Sequence, residues 1–147
     1  RVDRRQRQMC IRDRAEKTTA QLWAQDAATQ GLGMSLIRVA PGQAVLRMQV
    51  QAQMLNGHQT CHGGYLFTLA DSAFAFACNN RNQNTVAAAC SIDYLAPARL
   101  GDTLEAEAVE VALAGRSGVY DVTIRVMDGP TVALFRGKSH TIKGTVL

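Results

Sequence analysis

One stretch constrains this chain more than any other: His58–Cys78, H-Q-T-C-H-G-G-Y-L-F-T-L-A-D-S-A-F-A-F-A-C. It opens polar and glycine-rich, then turns apolar at nearly every position, with Asp71 the only charged residue between Tyr65 and Cys78. A helix that is apolar all round is a buried helix, and this run falls short of the roughly 20 apolar residues a bilayer span needs. The pattern therefore predicts a central core helix that carries one carboxylate. Burying an unpaired ionised carboxylate is expensive, so Asp71 needs a partner, an open cavity or a task. The start at His62-Gly63-Gly64 leaves backbone N–H groups free at the positive end of that helix, where an anion or a developing oxyanion would be stabilised.

A chain of 147 residues suits one domain. Its net charge of +4 invites a nucleic-acid reading, but that charge is confined to residues 1–14, which hold six Arg and two Asp. The rest balances ten basic against ten acidic residues and shows no basic stripe, so no nucleic-acid partner is expected. Cys10, Cys61, Cys78 and Cys90 form no CxxC pair or zinc spacing. Cys78 and Cys90 sit in apolar runs and read as buried thiols, which suits a reducing cytoplasm. No signal-peptide core or membrane span is visible, so no membrane partner is expected. The three histidines and Asp71 lack a spacing such as HExxH, which argues against a metal, and nothing calls for a cofactor. Ser72 is not in a GxSxG elbow. Cys61 and His62 are adjacent, and adjacent side chains rarely face each other as a catalytic pair must.

Along the chain, residues 1–14 lack core periodicity and read as an extraneous or disordered leader (a leader, a cloning scar or a frame error), leaving 15–147 as the domain. Thr18 or Thr19 would cap a first helix running to about Thr29, with Leu22, Trp23 and Ala27 inward and Gly31 and Gly33 ending it. Met34–Ala40 and Gln43–Val50 read as a hairpin about Pro41-Gly42. A polar loop, Gln51–Cys61, leads into the core helix, and Asn79–Asn84 is a second polar loop. Three alternating segments follow: Val86–Tyr94, a strand from Leu104 whose alternation slips at Val109 as at a bulge, and Tyr120–Val126; Thr131–Ile142 is the last strand. Sequential strands with short links pair antiparallel, and the apolar helix must cover one face of the sheet. The expected class is α+β, with an antiparallel sheet wrapped around one central helix: the hot-dog arrangement.

Three segments carry a resemblance: M-L-N-G-H-Q-T-C-H-G-G-Y-L-F-T-L-A-D-S-A-F-A-F-A-C-N, C-S-I-D-Y-L-A-P-A-R-L-G-D-T-L and V-A-L-F-R-G-K-S-H. Together they make Thr18 to Gly144 resemble hot-dog thioesterases of the phenylacetate-degradation (PaaI) type. The resemblance implies cleavage of acyl-coenzyme A thioesters, aryl-acetyl ones such as phenylacetyl-CoA or hydroxyphenylacetyl-CoA above all. It assigns Asp71 as base or nucleophile and the Gly63 N–H as donor to the thioester oxygen, with Asn56 and His62 lining the site. Some relatives place a hydroxyl at the start of the strand after the helix, where this chain reads Val86-Ala87-Ala88.

Each assignment has a purely structural counterpart. Asp71 could pair with Arg47 or Arg99. Gly63 and Gly64 could serve close packing. His62 could be a cap, and Asn56 could form an Asx-turn with Gly57. His58 and His140 read as structural or surface residues. The acyl pocket should be apolar, with Leu55, Leu66, Phe67 and Phe74 near it in sequence. Arg99, Arg116, Arg136 and Lys138 are candidates for the coenzyme phosphates, Arg116 and Lys138 foremost. Two other functions fit the same fold: an acyl-CoA hydratase or dehydratase using His62 with a carboxylate, and a non-catalytic acyl-CoA-binding module. Gly63 and Asp71 are eight residues apart, about 12 Å along a helix. A site using both is therefore expected to be shared between subunits of a homodimer or homotetramer.

Overall fold

In the computed structural model, which describes residues 3–147, the predicted core helix is α3, Gly63–Asn79, and the other elements are arranged about it. Before it come α1 (Arg4–Ala24), α2 (Ala27–Gly31), β1 (Ser35–Ala40), β2 (Gln43–Gln49) and a single 3₁₀ turn at Ala52–Met54. After it come β3 (Thr85–Tyr94), β4 (Thr103–Ala114), β5 (Ser117–Val126) and β6 (Thr131–Thr141). The six strands form one antiparallel sheet in the order β1-β2-β4-β5-β6-β3. This is the hot-dog fold that the patterning predicted, an α+β domain whose sheet curls over α3.

The inner face is built largely by alternation, cleanest along β5. Leu46 and Met48 of β2, Leu104, Ala106 and Ala108 of β4, and Tyr120, Val122 and Ile124 of β5 are all buried against α3. Phe74 of α3 is the centre of this core, with the rings of Tyr120 and Phe135 5.6 and 5.9 Å away. Its burial stabilises the fold by about 1.5–3 kcal/mol. The facing position on β6 is Gly137, where a Cβ would lie 2.8 Å from the Phe74 ring carbons. Register shifts in the β3–β6 and β4–β5 pairings add the bends that let the strands follow the helix.

The two sheet edges differ. Residues of α1 pack beside β1, whereas β3 has exposed residues from Val86 to Ala89 and again at Asp93 and Tyr94. An exposed strand edge presents unpaired backbone groups to another chain.

Several expectations need correction. The first helix does not begin at Thr18 or Thr19: it starts at Arg4, with Asp3 and Gln6 forming a capping box. Thr18 and Thr19 are interior, their hydroxyls donating to the carbonyls of Arg14 and Ala15. Residues 3–14 are exposed throughout, and Ala15 is the first buried side chain. The helix breaks at Gln25, and Asp26 caps α2 through the Thr29 N–H, which leaves Ala27 exposed. The β4 irregularity lies between Glu110 and Ala112, two residues beyond the slip at Val109. Cys90 is half-buried, because β3 is an edge strand.

The polar run after α3 is also more than a loop. Asn79 belongs to the helix, and its side chain both accepts from the Thr85 N–H and donates to the Thr85 carbonyl. The Asn80 amide donates to the carbonyls of Ala40 and Gln43, and its carbonyl accepts from the Gly42 N–H. Two buried asparagines thus tie the end of α3 to β3 and to the first hairpin, fixing how deep the helix sits in the sheet.

Candidate active site

The start of α3 is held by a set of short-range bonds that leave one donor free. The His62 N–H donates to the Met54 carbonyl at 2.7 Å, and the His62 Nδ1 accepts the Gly64 N–H at 2.9 Å. The Tyr65 N–H returns to the His62 carbonyl at 3.0 Å. Between these anchored groups the Gly63 N–H has no acceptor among the described residues. It is the orphan donor expected in the first turn of a helix, sitting where the helix dipole favours negative charge.

Gly63 lines a shallow cleft of about 500 Å³ together with Asn56, Leu66, Tyr94, Leu95 and Pro97, among others. The Cys61 N–H donates to the Ala98 carbonyl at 2.8 Å and ties the two walls together. Asn56 shapes one wall. Its Oδ1 accepts from the His58 N–H, the Thr60 N–H and the Thr60 hydroxyl at 3.0, 3.2 and 3.2 Å. This is a local turn of the kind asparagine favours. Its Nδ2 group donates to no described residue, so the same side chain can order the loop and still offer a donor to a ligand.

Two turns further along α3, Asp71 is half-buried and makes no hydrogen bond or ion pair among the described residues. Neither suggested partner holds it. Arg47 donates to Glu105 at 3.0 Å, and the Arg99 guanidinium makes no ion pair with Asp71 among the described residues. Burial pushes the Asp71 carboxyl above its usual 3.8. Burial also pushes the Cys78 thiol up to about 12, and there the Asp71 charge adds to the effect. Cys90 is raised by the same two causes. The carboxylate is therefore near enough to Cys78 and Cys90 for its charge to act on both thiols. Burying a charge without compensation is rare, and such groups cluster at functional sites.

The structure gathers some expected site residues and scatters others. Asn56, His62, Gly63 and Gly64 meet at the helix start, with Gly64 exposed. Leu55 packs on the core from an isolated bridge to Cys61, and Phe67 stacks edge-on against Phe135 at 5.3 Å. Lys138 is elsewhere: on β6, Gly137 and Ser139 face inward and Lys138 points out, opposite Ala89. It lies five residues along β6 from Ala133, the partner of Tyr94, hence about 16 Å from that end of the sheet. Arg116 forms the β4–β5 turn, and its carbonyl accepts from the Thr141 N–H at the far end of β6. Arg136 is engaged with Asp121 at 2.7 Å. Of the four candidate cations only Arg99 adjoins the cleft, directly after the lining residue Ala98.

Tyr94 received no role from its sequence. Its hydroxyl donates to the Gly63 carbonyl at 3.0 Å and its ring covers the Gly63 Cα. Its neighbours Leu95-Ala96-Pro97-Ala98 form the second wall. The one signal was an aromatic residue placed just before a proline-containing loop. A larger cleft of about 620 Å³ lies between α1 and the first hairpin, but none of the expected site residues line it. Among the described residues no histidine, cysteine and carboxylate cluster could hold a metal ion, and no helix is long and apolar enough to cross a membrane.

The arrangement is an orphan backbone donor at a helix start, an apolar cleft in front of it, and a destabilised carboxylate two turns away. It can stabilise an oxyanion and supply a base or nucleophile. Comparison with known proteins gives the same direction. Residues 58–133 match the family model described as "Thioesterase superfamily". The chain is 52% identical over 125 residues to the acyl-coenzyme A thioesterase PaaI of Escherichia coli, covering 85% of this chain and 89% of that protein. The solved structure of the E. coli PaaI protein from the phenylacetic acid degradation operon superposes with a TM-score of 0.90 at 49% identity, covering 92% of this chain and 98% of that one. A hypothetical thioesterase from Streptococcus pneumoniae, solved with coenzyme A, is similar at a TM-score of 0.73 and 26% identity, over 77% and 88% of the two chains.

Proposed function

The chain belongs to the thioesterase superfamily, as an acyl-CoA thioesterase of the PaaI type, and from that premise we propose that it hydrolyses aryl-acetyl-coenzyme A thioesters, phenylacetyl-CoA or hydroxyphenylacetyl-CoA, to the free acid and coenzyme A. The observation that carries this reading is the pairing of a free Gly63 N–H with an unpartnered, half-buried Asp71 on one buried helix.

The thioester oxygen would accept from the Gly63 N–H, at the positive end of α3, where charge developing on that oxygen is stabilised most. The ionised Asp71 carboxylate then either removes a proton from water as it attacks the carbonyl carbon, or attacks that carbon itself. In the first route the C–S bond breaks, coenzyme A leaves as its thiol and the acid is released. In the second a mixed anhydride forms and water cleaves it. Asn56 Nδ2 would hold the acyl or pantetheine portion, and His62, the N-cap of α3, would present Gly63. Leu55, Leu66, Phe67 and Pro97 supply apolar surface suited to an aryl-acetyl group.

The eight-residue separation of Gly63 and Asp71 supports a shared site. Reacting atoms must come within about 3–3.5 Å, and one helix holds these groups about 12 Å apart along its axis. A second copy added at the bare β3 edge would bring a second α3 alongside the first, antiparallel across a two-fold axis. Asp71, whose charge acts on Cys90 of β3, would then face the partner's helix start. Lys138 and Arg116 could serve coenzyme phosphates only from such a neighbouring subunit. Arg99 is the cation within reach on the same subunit. The four free thiols suit a reducing, cytoplasmic setting.

The test is release of free coenzyme A thiol from phenylacetyl-CoA by wild type and by Asp71→Asn, followed by a panel of benzoyl, hydroxyphenylacetyl and medium-chain thioesters. Near-normal turnover by Asp71→Asn would remove Asp71 from the mechanism. Preference for straight-chain thioesters would overturn the aryl-acetyl assignment. Hydration of crotonyl-CoA would instead indicate the hydratase reading.

A further inference from the structure

We propose that Tyr94 is a positioning residue that fixes the direction of the Gly63 N–H, and that residue 63 is held to glycine by the Tyr94 ring. The inference rests on the reading above, in which that N–H receives the thioester oxygen.

The Gly63 residue is anchored on both sides. Before it, the His62 peptide is held by the His62 N–H on the Met54 carbonyl and by the Tyr65 N–H on the His62 carbonyl. After it, the Gly63 carbonyl accepts the Tyr94 hydroxyl at 3.0 Å. This second anchor comes from a different element, the end of β3, so it ties the helix start to the sheet. The ring then closes over the glycine: a Cβ at position 63 would meet Tyr94 Cζ at 2.9 Å, Oη at 3.0 Å and Cε1 at 3.2 Å. The three nearest atoms that such a Cβ would meet all belong to Tyr94. Tyr94 is 52% exposed, so its ring can swing away without disturbing the core. A side chain at position 63 would therefore evict the tyrosine from the cleft and release the peptide it holds, while keeping the N–H itself.

A donor that must meet a developing oxyanion loses much of its effect when it turns away from the reacting oxygen. Losing the hydroxyl alone removes one hydrogen bond, so Tyr94→Phe should lower kcat by about 2–10-fold. Tyr94→Ala should lower kcat by up to about 10²-fold. In both variants KM and Tm should stay near wild type, the pattern of an interaction lost in the transition state only. Gly63→Ala retains its N–H yet should match Tyr94→Ala. In the Tyr94→Ala background the same Gly63→Ala change should cost less than about threefold, since the two changes act through one contact.

The proposal is overturned if Tyr94→Phe and Tyr94→Ala both keep kcat within about twofold of wild type, well inside the effect expected of a lost contact. It is equally overturned if Gly63→Ala costs the same factor with and without Tyr94. Asp71→Asn, assayed alongside, separates the two levels. If it is inactive while the Tyr94 variants are fully active, only the role of Tyr94 is lost. If it turns over normally, the thioesterase site assignment fails, and the positioning role with it.

Discussion

Mixing two dead variants tests the shared site without a structure of the assembly. One variant is Asp71→Asn. The other is Gly63→Pro: proline is accepted at the first position of a helix, where the N–H it removes is unpaired, and its ring also displaces Tyr94 from position 63. Proline also restricts the preceding residue to extended conformations, and His62 is already at φ −59, ψ 134. Each homodimer has two broken sites. In a heterodimer the Gly63 of the Asp71→Asn chain faces an intact Asp71, while the other site lacks both groups. Random exchange of equal amounts makes half the dimers mixed, each with one of two sites intact, so activity should return to about a quarter of wild type. The assay is thiol release from phenylacetyl-CoA after refolding the mixture together, with subunit exchange verified by differently tagged chains. Sites contained within one chain predict no recovery. The refuting result is a verified heterodimer with no more activity than its parents, which would require one helix to bridge the roughly 12 Å between these groups by itself.

Asp71 should also show a trade between activity and stability. Its folded pKa lies above 3.8 because burial disfavours the charge. The folded state then holds that proton to higher pH than the unfolded chain, and stability falls as pH rises from about 3.8 through the raised value. Asp71→Asn should accordingly raise Tm at pH 7, with the gain shrinking as pH approaches 3.8, while wild-type kcat/KM falls on the acid side through that same raised pKa. Gly137→Ala should destabilise the fold by about 1–3 kcal/mol through overpacking, read by urea unfolding, and Phe74→Leu should recover part of that loss by opening space for the new methyl. Arg99→Ala should raise KM for phenylacetyl-CoA severalfold but leave the KM of a phosphate-free pantetheine thioester unchanged.

The sequence alone determined the elements whose chemistry is local. An apolar run with one carboxylate can only be a buried helix, and alternation such as Tyr120-Val122-Ile124 can only be a strand with one buried face. Antiparallel pairing followed from short links, and His62-Gly63-Gly64 announced a helix start with a spare donor. The expectation of a second subunit also came from the sequence, because helix rise is the same in every protein. The tertiary structure decided what depends on residues far apart in the chain. It left Asp71 without a partner by giving Arg47 to Glu105. It set Lys138 on the outer face, because the register that seats Gly137 under Phe74 turns its neighbour outward. It buried Asn79 and Asn80, which read as a solvated loop, because backbone groups of Thr85 and of the first hairpin come to meet them. Tyr94 meets Gly63 for the same reason: the two are 31 positions apart, and only the docking of α3 against the sheet brings a strand end over a helix start.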